Sequence, residues 1–441
     1  MSQFSKPLVL FLAGLLAGCQ PGSRPMTETQ QGAIAGQGLA TAIPEEVGLS
    51  SARLKRINKV MQGYVDQNKL AGLITMVARR GKVVHFECFG MMDIQSNKPM
   101  QPDTIFRIYC MVKPITSVAV MMLYEEGHFQ LDDPVSKFIP EFKKVKVFVT
   151  KTEAGLELAD LEREITIRDL LTHTSGLAEG WTKETPVDEM YQEAEMLRWD
   201  ETLEQKVRRL VRLPLAHQPG SAWRYSIATD VLGYVVEVIS GMSLDAFLEK
   251  RIFGPLGMED AGFYVPKEKM GRFAALYRPG EEGRLQRNDA PEWGDFSKRP
   301  RFLSGGGALV STASDYMRFA QMLLNGGELD GTRLLSRKTV ELMTTNYLPK
   351  ELIPISIGSG KRKYVIKGYG WGLGFAVLTD VAQSEVLGSE GEYWWAGGAN
   401  TYFWVDPKQE VIGLLMTQFE PYGYYPIERE FKVLTYQAIV D

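Results

Sequence analysis

The sequence predicts an α/β (α+β) protein: an antiparallel sheet flanked by helices, with a mainly helical lobe inserted into it. Three observations lead there. Strand patterns lie near both ends of the folded part of the chain, and helical spacing fills the middle. The composition, 44% hydrophobic and 24% charged over 441 residues, is that of a soluble globular protein.

In chain order, the first element is an address. Lys6 precedes a mostly apolar run from Pro7 to Gly18, too short to span a bilayer and of the right length for a secretory signal core. It closes on Leu16-Ala17-Gly18-Cys19, which resembles the lipobox of bacterial lipoproteins, whose cysteine is acylated and becomes the first mature residue. That resemblance implies a lipoprotein signal peptide over residues 1–18 and a lipid on Cys19. With Gln20 following, it also implies the periplasmic face of the outer membrane in a bacterial cell envelope. A multiply acylated cysteine supplies the two lipid signals that stable anchoring needs. A plain secretory peptide with a chance cysteine fits the same residues. Residues 19–42, without apolar period, read as a flexible tether, and folded structure is expected from Ile43 to Asp441.

Ser51 to Gln67 carries Leu54, Ile57, Val60, Met61 and Tyr64 at helical spacing. Gly72–Ala78 and Val83–Phe89, joined at Arg80-Gly81-Lys82, read as a β-hairpin. A helical lobe spans roughly residues 107–300, where helical stretches alternate with Pro- and Gly-bearing loops. Strands return at Gly370–Thr379, Trp394–Val405 and Val411–Phe419, and an amphipathic helix over Ile427–Val440 closes the chain. Such a chain is one unit of two lobes, and clefts form between lobes.

Charge and rare residues narrow the chemistry. Fifty Lys+Arg against 54 Asp+Glu, a formal charge of -4, exclude a polybasic nucleic-acid binder and an acidic disordered chain. Three cysteines, Cys19, Cys88 and Cys110, are too few for a disulfide scaffold. The four histidines, His85, His128, His173 and His217, stand in no metal-ligand spacing, so neither a metal nor another cofactor is implied. No serine lies in a G-x-S-x-G setting, which argues against an α/β-hydrolase elbow.

The remaining reactive candidate is Cys110. An apolar run stopped by Gly127 marks a helix of about four turns whose N-terminus holds Cys110, with Pro114 tolerated in its first turn. Lys113 follows at i+3, on the same face. A helix N-terminus and a neighbouring ammonium both favour thiolate, the recipe for a reactive cysteine. Taken alone, the pattern equally describes a structural cysteine beside a snorkelling lysine.

Several co-ordered motifs supply context. Cys110-Met111-Val112-Lys113 resembles the S-x-x-K helix of the serine β-lactamase and penicillin-binding protein superfamily, with cysteine where the nucleophilic serine is expected. Leu170 to Leu177 and Gly305 to Asp315 resemble the same superfamily, closest to the class C-like family VIII carboxylesterases, from about Pro44 onward. The resemblance implies a β-lactamase/transpeptidase-like fold over residues 43–441. It gives Tyr225, in Trp223-Arg224-Tyr225-Ser226, the part of general base and later acid. A phenol beside a cationic lysine loses its proton more easily, which suits that part. A core tyrosine with a satisfied hydroxyl is the plain alternative. Trp395-Ala396-Gly397 takes the place of the K-T-G strand as a substrate-binding edge, and the N–H groups of Cys110 and Gly398 are the implied oxyanion donors. The glycine pair could also be only a strand bulge.

Two departures shape the expected function. Without the K-T-G lysine there is no cation for a β-lactam or peptide carboxylate, and Trp395 offers an apolar wall instead. A small-molecule acyl ester is the better substrate. Cysteine for serine makes the covalent intermediate a thioester, which amines attack readily. The sequence therefore carries three readings: a carboxylesterase-type hydrolase, an acyltransferase to an alcohol or amine, and a catalytically inactive envelope binding lipoprotein. Whether the thiol at Cys110 is natural or engineered the residues leave open. A Cys110–His173 pair is a weaker design, because His173 is explained by ordering its own turn. No nucleic-acid partner is implied, and the membrane is met only through the N-terminal lipid.

Overall fold

In the computed structural model, residues 38–441 are described, except 154, 183, 197, 289–293, 359, 361 and 362. The signal segment, Cys19 and most of the tether lie outside the described residues. Residues ahead of Ile43 already pair with the sheet: Ala40 accepts a hydrogen bond from Val83 N–H and Ala42 donates one to the Val83 carbonyl. Leu39 is buried beside them, so residues 39–42 belong to the fold and not to a tether.

Helix α1 (Ser51–Asp66) starts where the Ser50 hydroxyl accepts from Arg53 N–H, and it buries Leu54, Ile57, Met61 and Tyr64. Strands β1 (Gly72–Arg79) and β2 (Lys82–Asp93) form the expected hairpin, extended by a short edge strand β3 (Lys98–Pro99). The region read as one strand over 370–379 is two, β4 (Tyr369–Trp371) and β5 (Ala376–Leu378). The turn between them is closed by Gly372 N–H on the Phe375 carbonyl, and Gly374, at φ +100°, lies where other residues are strained. Trp394–Val405 likewise divides into β6 (Tyr393–Gly397) and β7 (Thr401–Asp406), followed by β8 (Val411–Thr417).

The eight strands form one sheet in the order β4-β5-β6-β7-β8-β1-β2-β3, antiparallel throughout. First and last parts of the chain thus meet at β1 and β8. Adjacent strand residues face opposite sides, and β7 shows what covers each. Phe403 meets Tyr316 of α5 (Ala313–Leu324) at 5.0 Å between ring centroids, while Trp404 meets Phe431 of the C-terminal helix α6 (Ile427–Tyr436) at 5.3 Å. Helices therefore flank both faces of the sheet.

Helix α2 (Val112–Glu125) is buried all round from Val112 to Leu123, as an apolar sequence without a polar face requires. The inserted lobe holds α3 (Leu203–Leu210) and α4 (Ala228–Ser240). It also holds two hairpins that helical spacing did not foretell, Val147–Thr152 with Gly155–Ala159 and Tyr277–Pro279 with Leu285–Arg287.

Candidate active site

Cys110 lies in a 3-10 turn, Tyr109–Met111, that runs directly into α2. Its side chain is half-buried. Tyr109 before it is fully buried and sits at φ +43°, a left-handed conformation that costs a non-glycine residue about 1–3 kcal/mol. Phe296 packs edge-on against the Tyr109 ring at 6.3 Å.

The β6–β7 hairpin closes on this turn. Its pairing is regular from Tyr393↔Val405 to Gly397↔Thr401, so the Gly397-Gly398 pair is not a bulge. A side chain at Gly397 would put its Cβ 2.3 Å from the Ile108 carbonyl oxygen, which shows how closely the strand backbone approaches the Cys110 turn. Gly398 is different: a Cβ there would meet only Tyr109 Cδ2, at an ordinary 3.6 Å.

Lys113, in the first turn of α2, is buried and donates from Nζ to the Gly306 carbonyl at 2.7 Å. The same ammonium lies 4.5 Å from the Tyr225 ring centroid, within cation–π range. Tyr225 precedes α4 and is packed among aromatic groups. Its centroid is 5.0 Å from His173 and 5.4 Å from Trp395, and Trp371 stands edge-on to Trp395 at 4.5 Å. The Tyr225 hydroxyl and the Trp395 indole N–H are buried and make no hydrogen bond of ordinary geometry. The polar groups that act on the phenol are the Cys110 thiol, Glu179 and the Trp395 indole.

Burial corrects one expectation. The phenol of Tyr225 was expected to lose its proton more easily beside Lys113. Instead desolvation, with the charges of Cys110 and Glu179 added, pushes it well above the usual tyrosine range. Tyr225 is a neutral phenol at rest, suited first to donate a proton.

His173 is buried at φ +56°, shares a hydrogen bond with the Ser226 hydroxyl at 3.2 Å, and makes none with Cys110. Burial and the Lys113 charge hold it well below the ordinary histidine range, so it is neutral. It packs edge-on or tilted against Trp223, Tyr225 and Trp371 in the aromatic wall. Cys88 lies on β2 away from this site, and burial pushes its thiol up to about 12.

Sequence reasoning missed the support behind Lys113. Asp230 of α4 accepts from Ser304 Oγ at 2.7 Å and from Gly306 N–H at 3.0 Å. Gly306 is thus held by Asp230 at its N–H and by Lys113 at its carbonyl. Lys206 of α3 pairs with Asp230 at 3.4 Å, both side chains buried. The available signal was position: Lys206 stands on the apolar stripe of Leu203, Val207 and Leu210.

Residues 57–437 match the family model described as Beta-lactamase. The chain belongs to the beta-lactamase family. Among its relatives, the Mycobacterium tuberculosis protein Rv1367c is 40% identical over 359 residues, 81% of this chain and 88% of that one. Esterase EstB of Burkholderia gladioli is 30% identical over 400 residues, 86% of this chain and 94% of its own. Among solved structures, EstCE1, described as a hydrolase with promiscuous acyltransferase activity, superposes with a TM-score of 0.73 at 26% identity, covering 87% of this chain and 99% of that one. The family thus places ester hydrolysis and acyl transfer together on this fold.

Proposed function

We propose that the protein is a hydrolase of small, uncharged carboxylic esters that works through a thioester on Cys110. The observation that carries this reading is the convergence of the Cys110 turn, Lys113 and Tyr225 beneath the β6–β7 hairpin. In the proposed cycle Cys110 reacts as thiolate with its proton on Lys113. Sulfur bonds to the carbonyl carbon, and the carbonyl π pair moves to oxygen, held by the N–H groups of Cys110 and Gly398. Such a donor is worth about 10²–10³ in rate. The C–O bond to the leaving alcohol then breaks, and the neutral Tyr225 phenol gives that oxygen its proton. The phenolate left beside the Lys113 ammonium takes a proton from water, the resulting hydroxide attacks the thioester, and collapse expels the Cys110 thiolate. Every proton is returned.

Trp395 with Ala396 and Gly397 forms the apolar edge against which the acyl group lies. The aromatic wall supports an uncharged substrate over a carboxylate. Transfer to an alcohol or amine is the second reading. It is favoured by the thioester, which amines attack readily, and it differs only in the molecule that gives its proton to the Tyr225 phenolate.

Intact-mass spectrometry after incubation with p-nitrophenyl butyrate tests the scheme. A butyryl adduct that maps to Cys110 and disappears in Cys110→Ala is the expected result. Neither adduct nor turnover would leave only a binding lipoprotein. Added butanol or butylamine, followed by product analysis, separates transfer from hydrolysis. Cys110→Ser is expected to raise turnover with water if sulfur limits it. The lipid on Cys19 and the envelope location belong to this proposal too. Metabolic labelling with an alkyne fatty acid, lost in Cys19→Ala, tests them.

A further inference from the structure

Behind Lys113 lies a cavity of about 10 Å3, room for one water molecule, which such a space holds when two to four polar groups surround it. Lys113, Glu179, Lys206 and Asp230 line it, with Trp199 and Phe302 among its walls. The charges in it can be matched in pairs. Asp230 is committed to Lys206, Ser304 and Gly306. Lys206 rests its ammonium 3.9 Å from the Phe302 ring centroid and is paired with Asp230. Lys113 donates to a neutral carbonyl, and no carboxylate pairs with it directly among the described residues. Glu179 is the remaining acid. It is buried on the loop after Leu177, and its Oε2 accepts the Trp181 indole N–H.

We propose that Glu179 is a positioning residue of this site: its carboxylate, anchored by Trp181, is the counter-ion of the Lys113 ammonium across one water in the cavity. The inference rests on the reading above, in which Lys113 works as an ammonium beside Cys110. The groups facing Glu179 are Lys113 from α2, Lys206 from α3, Asp230 and Tyr225 from the α4 segment, and Trp181 from its own loop. Burial pushes its carboxyl above the usual carboxylate range, and the Lys113 charge is the largest influence holding it down. The same anion raises the Tyr225 phenol and so helps keep that group protonated until a leaving alkoxide needs the proton.

Loss of an anion lowers the proton affinity of every neighbouring group, which gives the test a sign. The rate of Cys110 alkylation by iodoacetamide is measured from pH 5 to 10, with the adduct located by peptide mass so that Cys19 and Cys88 do not count. Glu179→Gln is expected to move the midpoint down by about half a unit or more, roughly threefold faster alkylation below the midpoint. Glu179→Asp is expected to keep the wild-type midpoint. Trp181→Phe, at a partly exposed ring that can be lost without emptying the core, is expected to move it the same way by less. That variant decides the matter if Glu179→Gln does not fold. A Glu179→Gln midpoint that coincides with wild type, whatever the amplitude, overturns the proposal, as does an equal shift in Glu179→Asp. Alkylation needs no ester turnover, so absence of the butyryl adduct defeats the hydrolase reading and leaves this result standing.

Discussion

Asp230→Ala is the most informative single change, because the structure bounds its cost. It strands Lys206, whose side chain is 2% exposed, without the carboxylate 3.4 Å away. A stranded buried ammonium can escape by losing its proton. From an ordinary lysine value near 10.4, that costs about 4.6 kcal/mol at pH 7, a ceiling on the electrostatic penalty. The buried Gly306 N–H, which donates to Asp230 at 3.0 Å, adds about 1–3 kcal/mol as an orphan donor. The expected loss is about 5 kcal/mol in urea unfolding. Lys206→Met should cost about 2 kcal/mol, since Asp230 keeps Ser304 and Gly306 as donors. The double variant Lys206→Met/Asp230→Ala should cost about 4 kcal/mol instead of the additive total of about 7, a coupling of about 3 kcal/mol. The pH dependence is a second check. In Asp230→Ala the unfolded chain binds the Lys206 proton and the folded one does not, so stability relative to wild type rises by about 1.4 kcal/mol per pH unit between 7 and 10. Acylation by p-nitrophenyl butyrate should slow as well, because Asp230 holds the residue whose carbonyl receives Lys113. Additive costs across the cycle, or no rise with pH, would refute the reasoning.

Gly397→Ala should disrupt the site and the fold together, because its Cβ would lie 2.3 Å from both Ile108 O and Thr401 Oγ1, whereas Gly398→Ala should fold normally and keep its N–H. Circular dichroism melts of the two, taken side by side, check this. Asp315 is pushed up to about 7 by burial and by the charge of Asp260. The folded state then holds a proton the unfolded chain has lost, so stability falls as pH rises from about 4 to 7. Asp315→Asn should remove about 3 kcal/mol of that fall, read from urea unfolding at pH 4.5 and 7.5. Asn400, at φ +59°, donates to Phe419 O and accepts from Gly423 N–H. Asn400→Ala should be less stable than Asn400→Gly by about 1 kcal/mol, since both lose the amide but only alanine keeps the left-handed strain.

Much of this was legible in the sequence. The β1–β2 hairpin and β8 follow from apolar runs bounded by turn residues, as suits strands covered on both faces, and α1 follows from helical spacing. Tyr369–Leu378 was harder, since both of its strands are three residues long and buried, leaving only Gly372 and Gly374 to mark the turn. The lobe hairpin over Val147–Ala159 is exposed along most of its length, so no apolar pattern announced it. Cys110, Lys113 and Tyr225 were found through motifs. The protonation of Tyr225 was not, because desolvation belongs to the whole packed site and not to a spacing. Lys206 and Asp230 stayed hidden for a related reason: a charge on a helix reads as solvated until the opposite helix is known.

Backbone strain marks the same place by an independent route. Ten described non-glycine residues have positive φ, and seven of them are exposed, in hairpin turns, loop bends and helix ends where such a conformation is unremarkable. The three buried ones are Tyr109, His173 and Asn400. Tyr109 precedes Cys110, His173 packs on Tyr225, and Asn400 ends the turn that follows Gly397. Each therefore adjoins a different component of the proposed site: Cys110, the Tyr225 phenol and the Gly397-Gly398 edge. Strain of about 1–3 kcal/mol per residue persists only where surrounding packing over-determines it. At two of the three the packing is aromatic, Phe296 against Tyr109 and Trp371 against His173, and at Asn400 the side-chain amide is held by Phe419 O and Gly423 N–H. A fold that needed these segments only as connections could place glycine at all three positions without strain. A tyrosine, a histidine and an asparagine there fix the direction of Cys110, the tilt of Tyr225 and the approach of Gly398 at once, which is what the proposed cycle, with its preorganised donors, would require.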